Sequence, residues 1–149
     1  MADTQDNDMN LIQRKEAMYT APTTRSANLY AQHGKITAAA TATPHELISL
    51  LFDAIDEQLV SAAGCMEGVD AIERRGKHVN KAVMLIQDGL RAALDLQNGG
   101  ELAQRLDALY EYCATRLAEA HAKRDRAMFE EVRQHLRTVA DGWKAIRPQ

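Results

Sequence analysis

The histidines of the chain are the first residues to consider, because with carboxylates they could hold a metal ion. A di-iron site in a helical bundle needs Glu-x-x-His pairs that project inward from two helices. The chain has five histidines, and the residues three positions before them are not carboxylates: Tyr30, Ala42, Arg75, Ala118 and Val132. The His-Glu-x-x-His and Cys-x-x-Cys spacings typical of zinc sites are also missing from the sequence. We therefore predict no metal site.

Other side chains that could act in catalysis lack suitably spaced partners. Glu130 and Glu131 are adjacent, but neighbours on a helix point in different directions and do not form a shared acid–base site. His135 lies beside an apolar stripe with no residue spaced to orient it as a base, so we interpret it as a partly buried spacer. The sequence has no glycine-rich phosphate loop, nucleophile elbow or dinucleotide fingerprint. An interaction protein without a cofactor is favoured over an enzyme.

Composition and charge narrow the class further. The 149 residues suit one domain, and the low aromatic content of 5% with only three prolines favours an all-α fold. A net charge of −3 without a basic block argues against nucleic acid as a partner. No apolar run approaches the roughly 20 residues that a membrane-spanning helix needs, and the first residues are polar and acidic, so we expect a cytosolic protein. Cys65 and Cys113 lie far apart in helical patterns and are expected to be free thiols.

The N-terminal part of the chain differs from the rest in its pattern. Residues 1–26 are polar and lack apolar periodicity, which predicts a flexible tail. The following Ala-rich stretch to Ala42, interrupted by Gly34, predicts a short or marginal helix. Residues 27–147 are predicted to form a single helical domain.

Four longer helices are predicted after this stretch. Thr43-Pro44-His45-Glu46 has the composition of a capping box with proline at the first helical position, and the helix that begins there should end near Gly68. Asp70 is predicted to cap the second helix, which should continue to the Asn98-Gly99-Gly100 turn. The third helix should begin near Glu101, and Asp125 should cap the last. Short connections predict an antiparallel up-down four-helix bundle.

Several local motifs of the chain resemble those of the FliS family of flagellar chaperones. They are Met18-Tyr19-Thr20-Ala21, Asn28-Leu29-Tyr30, Thr43 to Ile48 with Leu51-Phe52-Asp53, the turn Asn98-Gly99-Gly100-Glu101, Leu109-Tyr110-Glu111-Tyr112, and Trp143-Lys144. The chain departs from the family pattern in its extension over residues 1–17 and in Ala54, where the family usually has glycine. The resemblance covers roughly residues 18–146.

The resemblance implies a role without catalysis. FliS chaperones bind the C-terminal region of newly made flagellin, prevent its premature polymerisation, and deliver it to the export gate protein FlhA. Such a client can fold as amphipathic helices in apolar grooves of a bundle. A helical adaptor or regulator with a different protein client is the alternative function. Apolar grooves that await a client could also pair with one another, so a weak homodimer is a further expectation.

The first long helix is the predicted client-binding element, because its apolar surface is wider than one core-facing stripe requires. One side carries Leu47, Leu51 and Ala54, and the other carries Ile48, Phe52, Ile55 and Leu59. In the alternative, the helix is fully surrounded and buries both sides.

Roles are also predicted for three aromatic residues and for the residues at helix ends and turns. Tyr30 is assigned to client contact, or to occupation of the client groove when the client is absent. Tyr110 is a further predicted contact; since it and Tyr112 point in different directions, at most one can be deeply buried. Trp143 is assigned to the core, and the structural roles at helix ends and turns fall to Thr43, Pro44, Gly99 and Gly100.

Overall fold

The computed structural model describes Tyr19 and residues 42–146. In this part of the chain four α-helices form an antiparallel bundle: α1 (Pro44–Gly64), α2 (Ala71–Met84), α3 (Gly100–Lys123) and α4 (Arg126–Ala145). Helix α1 packs against α2 and α4, and α3 packs against the same two neighbours. The predicted all-α fold is confirmed. The predicted N-terminal helix and most of the predicted tail lie outside the described residues.

The start of α1 confirms the predicted capping box. The amide of Glu46 donates to Thr43 Oγ1 at 3.1 Å, and the amide of Thr43 donates to Glu46 Oε2 at 3.1 Å. Pro44 occupies the first turn, where its missing N–H removes no intrahelical hydrogen bond. These bonds satisfy two backbone amides at the helix end and set where α1 begins.

The second predicted helix ends earlier than expected and changes its winding. Helix α2 passes at Met84 into a π-helical segment, Leu85–Arg91, instead of continuing to Asn98. The Ala92 amide donates to the Gln87 carbonyl at 3.0 Å, a bond that spans five residues. A β-carbon at Gly89 would lie 3.3 Å from Leu51 Cδ2, so glycine permits the close approach of α1 to this segment. The π-helical segment, which is wider than an α-helix, therefore lies at a close contact with α1.

Asp70 does not cap α2 in the predicted manner. It occupies the N-cap position, but its backbone is left-handed, with φ of 57°, and its side chain makes no capping hydrogen bond. The tight reversal that begins at Gly68 fixes this conformation, and the Ala71 amide bonds to the Gly68 carbonyl instead. Asp125, by contrast, caps α4 as predicted, since its side chain accepts from the Met128 amide at 3.3 Å.

One end of the bundle is fastened by Arg75, a cation with only 3% of its surface exposed. Its Nη1 donates to the Cys65 carbonyl at 3.0 Å. Its Nε and Nη2 donate to His121 Nδ1 and to the His121 carbonyl, at 3.1 and 3.0 Å. Arg75 therefore ties the end of α1, the start of α2 and the end of α3 together. The bond to Nδ1 requires a neutral imidazole with that nitrogen unprotonated.

Stability should therefore fall in mild acid. Burial and the neighbouring Arg75 lower the pKa of His121 in the folded protein. A lowered folded-state pKa means that the unfolded chain binds the proton more readily, so this contribution is present above about pH 6.5 and is lost as pH falls through the folded-state pKa. Urea unfolding of His121→Asn, whose carbonyl oxygen can replace Nδ1 without titrating, should show a weaker pH dependence than the unsubstituted protein.

His78→Asn provides the comparison, and it should weaken the pH dependence less than His121→Asn does. The pKa of His78 is also lowered, by burial and then by Lys81 and Arg74, but its Nδ1 lies 2.8 Å from Gln58 Oε1 and so donates a proton rather than accepting one. Protonation of His78 therefore breaks no hydrogen bond to a cation. An unchanged pH dependence in His121→Asn would contradict the role assigned to the Arg75–His121 contact.

Candidate functional site

The site begins with two reciprocal hydrogen bonds that join the start of α1 to the end of α4. Trp143 Nε1 donates to the His45 carbonyl at 3.1 Å, and His45 Nε2 donates to the Trp143 carbonyl at 2.9 Å. The two rings are stacked with their centroids 4.6 Å apart. Trp143 is 5% exposed, which confirms its predicted place in the core. These contacts hold the indole in one orientation at this end of the bundle.

Tyr19, which lies outside the four helices, packs onto the His45–Trp143 pair. Its ring meets Trp143 edge to face with a centroid distance of 5.1 Å. Its backbone forms an isolated antiparallel bridge with Leu94, in the segment that follows the π-helix. Tyr19 is 8% exposed and belongs to the main hydrophobic core. It falls within the stretch 1–26 predicted as a flexible tail, so the sequence pattern missed this contact; the boundaries of that tail stay a prediction.

The hydroxyl of Tyr19 meets the hydroxyl of Tyr110 on α3 in a buried hydrogen bond. Tyr110 has no exposed surface. Burial raises the pKa of Tyr19, an effect that the bond from Tyr110 partly offsets. Burial also raises the pKa of Tyr110 well above its usual value, and Tyr19 contributes in the same direction. Both phenols are therefore neutral near pH 7 and can serve as donor and acceptor to each other.

The residues predicted to contact a client are buried in this structure. Both stripes of α1 face neighbouring elements, with at most 5% of each residue exposed: Leu47, Ile48, Leu51, Phe52, Ile55 and Leu59. Tyr110 lies beneath Tyr19, whereas Tyr112 is 44% exposed and donates to Glu131, so one tyrosine of the pair is buried as expected. Tyr30 lies outside the described residues. Client contact at the buried positions stays a prediction, and it requires something to be displaced.

A metal site and a reactive thiol are the other kinds of chemistry to test among the described residues. They contain no group of three or more His, Cys, Asp or Glu side chains that could hold a metal ion. Cys113 is buried, and desolvation, followed by the charge of Glu131, raises the pKa of its thiol to about 12. A thiol of this kind is protonated and unreactive at neutral pH. His135 is exposed and not partly buried as predicted, and its ring makes an edge contact with Tyr112 at a centroid distance of 6.0 Å. None of the helices that the structure describes is long and apolar enough to span a bilayer.

Comparison with known proteins identifies the family of this chain. The family model described as Flagellar protein FliS matches residues 26–149. The chain belongs to the FliS family. It is 39% identical over 132 residues to the Flagellar secretion chaperone FliS of Salmonella typhimurium, with 89% of this chain and 95% of that protein covered. FliS is a family of flagellar secretion chaperones and not of enzymes.

Two further relatives show the spread of the FliS family. Flagellar secretion chaperone FliSB of Pseudomonas aeruginosa is 45% identical over 105 residues, which cover 70% of this chain and 82% of that protein. The FliS of Bacillus subtilis is 33% identical over 104 residues, with 70% and 75% covered. The resemblance predicted from the motifs is thereby confirmed.

Removing either tyrosine hydroxyl should destabilise the protein more than removing both. Tyr19→Phe or Tyr110→Phe leaves one buried hydroxyl without its partner, at a cost of about 1–3 kcal/mol, whereas the double variant leaves neither hydroxyl. The free energy of unfolding from urea titrations should therefore be clearly non-additive in this cycle.

Tyr112→Phe is the matched control, because this tyrosine is half exposed and its hydroxyl bonds to an exposed carboxylate. It should change the free energy of unfolding by no more than about 0.5 kcal/mol. Additive effects of the Tyr19 and Tyr110 substitutions would show that the two hydroxyls do not depend on each other.

Proposed function

We propose that this chain binds the C-terminal region of flagellin in the cytoplasm, prevents its premature polymerisation, and delivers it to the export gate protein FlhA. The observation that carries the proposal is the position of Tyr19, in a chain of the FliS family. A residue from outside the four helices occupies a site formed by Tyr110, Trp143 and Leu94. A client segment of similar chemistry could take its place.

The contacts of Tyr19 define what such a segment must supply. The edge of Trp143 and the surrounding core favour an aromatic or large apolar side chain. The hydroxyl of Tyr110 requires a hydrogen-bonding group, since a buried hydroxyl without a partner is costly. The bridge at Leu94 supports pairing with extended backbone. An amphipathic client that is disordered before assembly can meet these needs and order as it binds.

Exchange of one covering segment for another explains how buried residues can belong to a binding surface. Both apolar stripes of α1 are covered in this structure, so a client that used them would have to replace contacts within the bundle. Replacement keeps apolar surface away from water before and after binding, which limits aggregation of the free chaperone. It also lowers the net affinity, because part of the binding free energy is spent on opening the site. Moderate affinity suits a client that must be released for export.

Calorimetric titration with the C-terminal segment of flagellin from the same organism tests the proposal. We expect saturable one-to-one binding with a negative heat-capacity change, because apolar surface is buried. Flagellin that lacks this segment is the control and should not bind. Addition of the cytosolic domain of FlhA to the complex should then give a ternary complex. Absence of binding to both flagellin forms would refute the flagellin assignment and leave a FliS-family protein with another client.

Substitution of Tyr19 tests whether it competes with the client. Tyr19→Ala should lower the melting temperature, because ring contacts in the core are lost. It should also raise the affinity for the flagellin segment, since less free energy is spent on opening the site. The intrinsic fluorescence of Trp143, the single tryptophan of the chain, would report both changes. Tyr112→Ala is the matched control and should leave affinity unchanged; weaker client binding by Tyr19→Ala would instead make Tyr19 a direct client contact.

A further inference from the structure

The turn that leads into α3 is organised around Asp95. Its carboxylate accepts three hydrogen bonds: from the Gln97 amide at 3.2 Å, the Asn98 amide at 3.0 Å, and Asn98 Nδ2 at 3.1 Å. Its backbone carbonyl accepts a fourth, from the Gly99 amide at 2.8 Å. Bonds from Asn98, from its amide first and then its side chain, lower the pKa of Asp95, which is therefore ionised at neutral pH. Asp95 thus accepts hydrogen bonds from both Asn98 and Gly99.

An Asn-Gly pair can undergo a reaction within the chain itself. The backbone nitrogen of the glycine attacks the side-chain carbonyl carbon of the asparagine and forms a new N–C bond. The C–N bond to Nδ2 breaks, and Nδ2 leaves as ammonia together with the proton from the glycine nitrogen. Water then opens the cyclic imide at either carbonyl, giving aspartate or isoaspartate. Glycine favours the attack because it has no side chain to hinder the approach.

Each bond to Asp95 opposes a requirement of this reaction. The Gly99 nitrogen must lose its proton to attack, but that proton is engaged by the Asp95 carbonyl. The Asn98 carboxamide must turn toward the Gly99 nitrogen, but its Nδ2 is engaged by the Asp95 carboxylate. A nearby negative charge also disfavours the deprotonated amide that attacks. Asn98 itself is exposed, so water can reach the imide once it forms.

We propose that Asn98 is a site of spontaneous deamidation that Asp95 suppresses while the turn is intact. Deamidation would then destabilise the same turn that protects Asn98. A carboxylate at position 98 can no longer donate to Asp95 and lies beside a second negative charge. Isoaspartate would also lengthen the backbone immediately before Gly99 and disturb the bond to the Asp95 carbonyl.

The consequence reaches the site of Tyr19. The turn begins immediately after Leu94, whose backbone pairs with Tyr19, and it ends at α3, which carries Tyr110. Opening of the turn would loosen two of the three elements that hold Tyr19 in place. Deamidation would therefore weaken the packing of Tyr19 on the bundle, irreversibly and increasingly with time.

Peptide mapping by mass spectrometry tests the proposal during incubation of the purified full chain at mildly alkaline pH. Asp95→Ala should convert Asn98 roughly tenfold faster than the unsubstituted protein, because the bonds to its carboxylate are lost. Glu101→Ala is the matched control: it removes a carboxylate near the same turn that bonds to Arg105 instead, and its rate should equal that of the unsubstituted protein. Asp95→Asn keeps a carbonyl acceptor without the charge and should react at an intermediate rate. Equal rates in all these proteins would overturn the proposal.

Two direct substitutions test the effect of the product. Asn98→Asp should melt at a lower temperature than Asn98→Ser at neutral pH, and the difference should disappear in acid, where the carboxylates are protonated. Its Tyr19 should also be less protected, seen as faster hydrogen exchange at the Tyr19 and Leu94 amides. Equal melting and equal exchange in Asn98→Asp and Asn98→Ser would show that the new charge does not open the turn.

Discussion

A hydroxyl group inside the core is the constraint on which the candidate site depends. Tyr110 projects from α3 to a position with no exposed surface, where its hydroxyl needs a hydrogen-bond partner. The described partner is Tyr19, which lies 91 positions away along the chain and belongs to none of the four helices. The bundle is thus completed by a residue from outside it. The proposed exchange with a client rests on the same requirement, because any segment with suitable chemistry could bond to the Tyr110 hydroxyl.

The two ends of the bundle are built on different principles. At one end, His45 and Trp143 form a rigid frame through reciprocal backbone hydrogen bonds, and Tyr19 packs on it through ring contacts. At the other end, the buried Arg75 joins three elements through neutral acceptors. A guanidinium buried without a carboxylate is costly to leave unbonded, so this end resists opening at neutral pH. The proposed replacement of Tyr19 by a client segment is therefore placed at the end of the bundle that is less costly to open.

The irregular part of the fold lies between these ends, on the path from α2 to α3. The π-helical segment Leu85–Arg91 brings Gly89 against Leu51 and directs the chain to Leu94, where Tyr19 pairs. Arg91 then bonds to Asp107 on α3 at 2.6 Å, which joins the segment to the helix that carries Tyr110. The departure from α-helical winding thus positions one wall of the Tyr19 site, in keeping with the frequent placement of π-bulges at functional sites.

The sequence by itself determined the features that depend on neighbouring residues. The Thr43 capping box, the Asp125 cap and the helical spacing of apolar residues are local, and the bundle follows from them. Only the tertiary structure decided that Gly89, in the π-helical segment after α2, lies against Leu51 of α1. It also decided that both stripes of α1 are buried, and that Tyr19 is buried in the core although its neighbours in the sequence are polar. Such contacts join residues far apart in the chain, so no local pattern carries them.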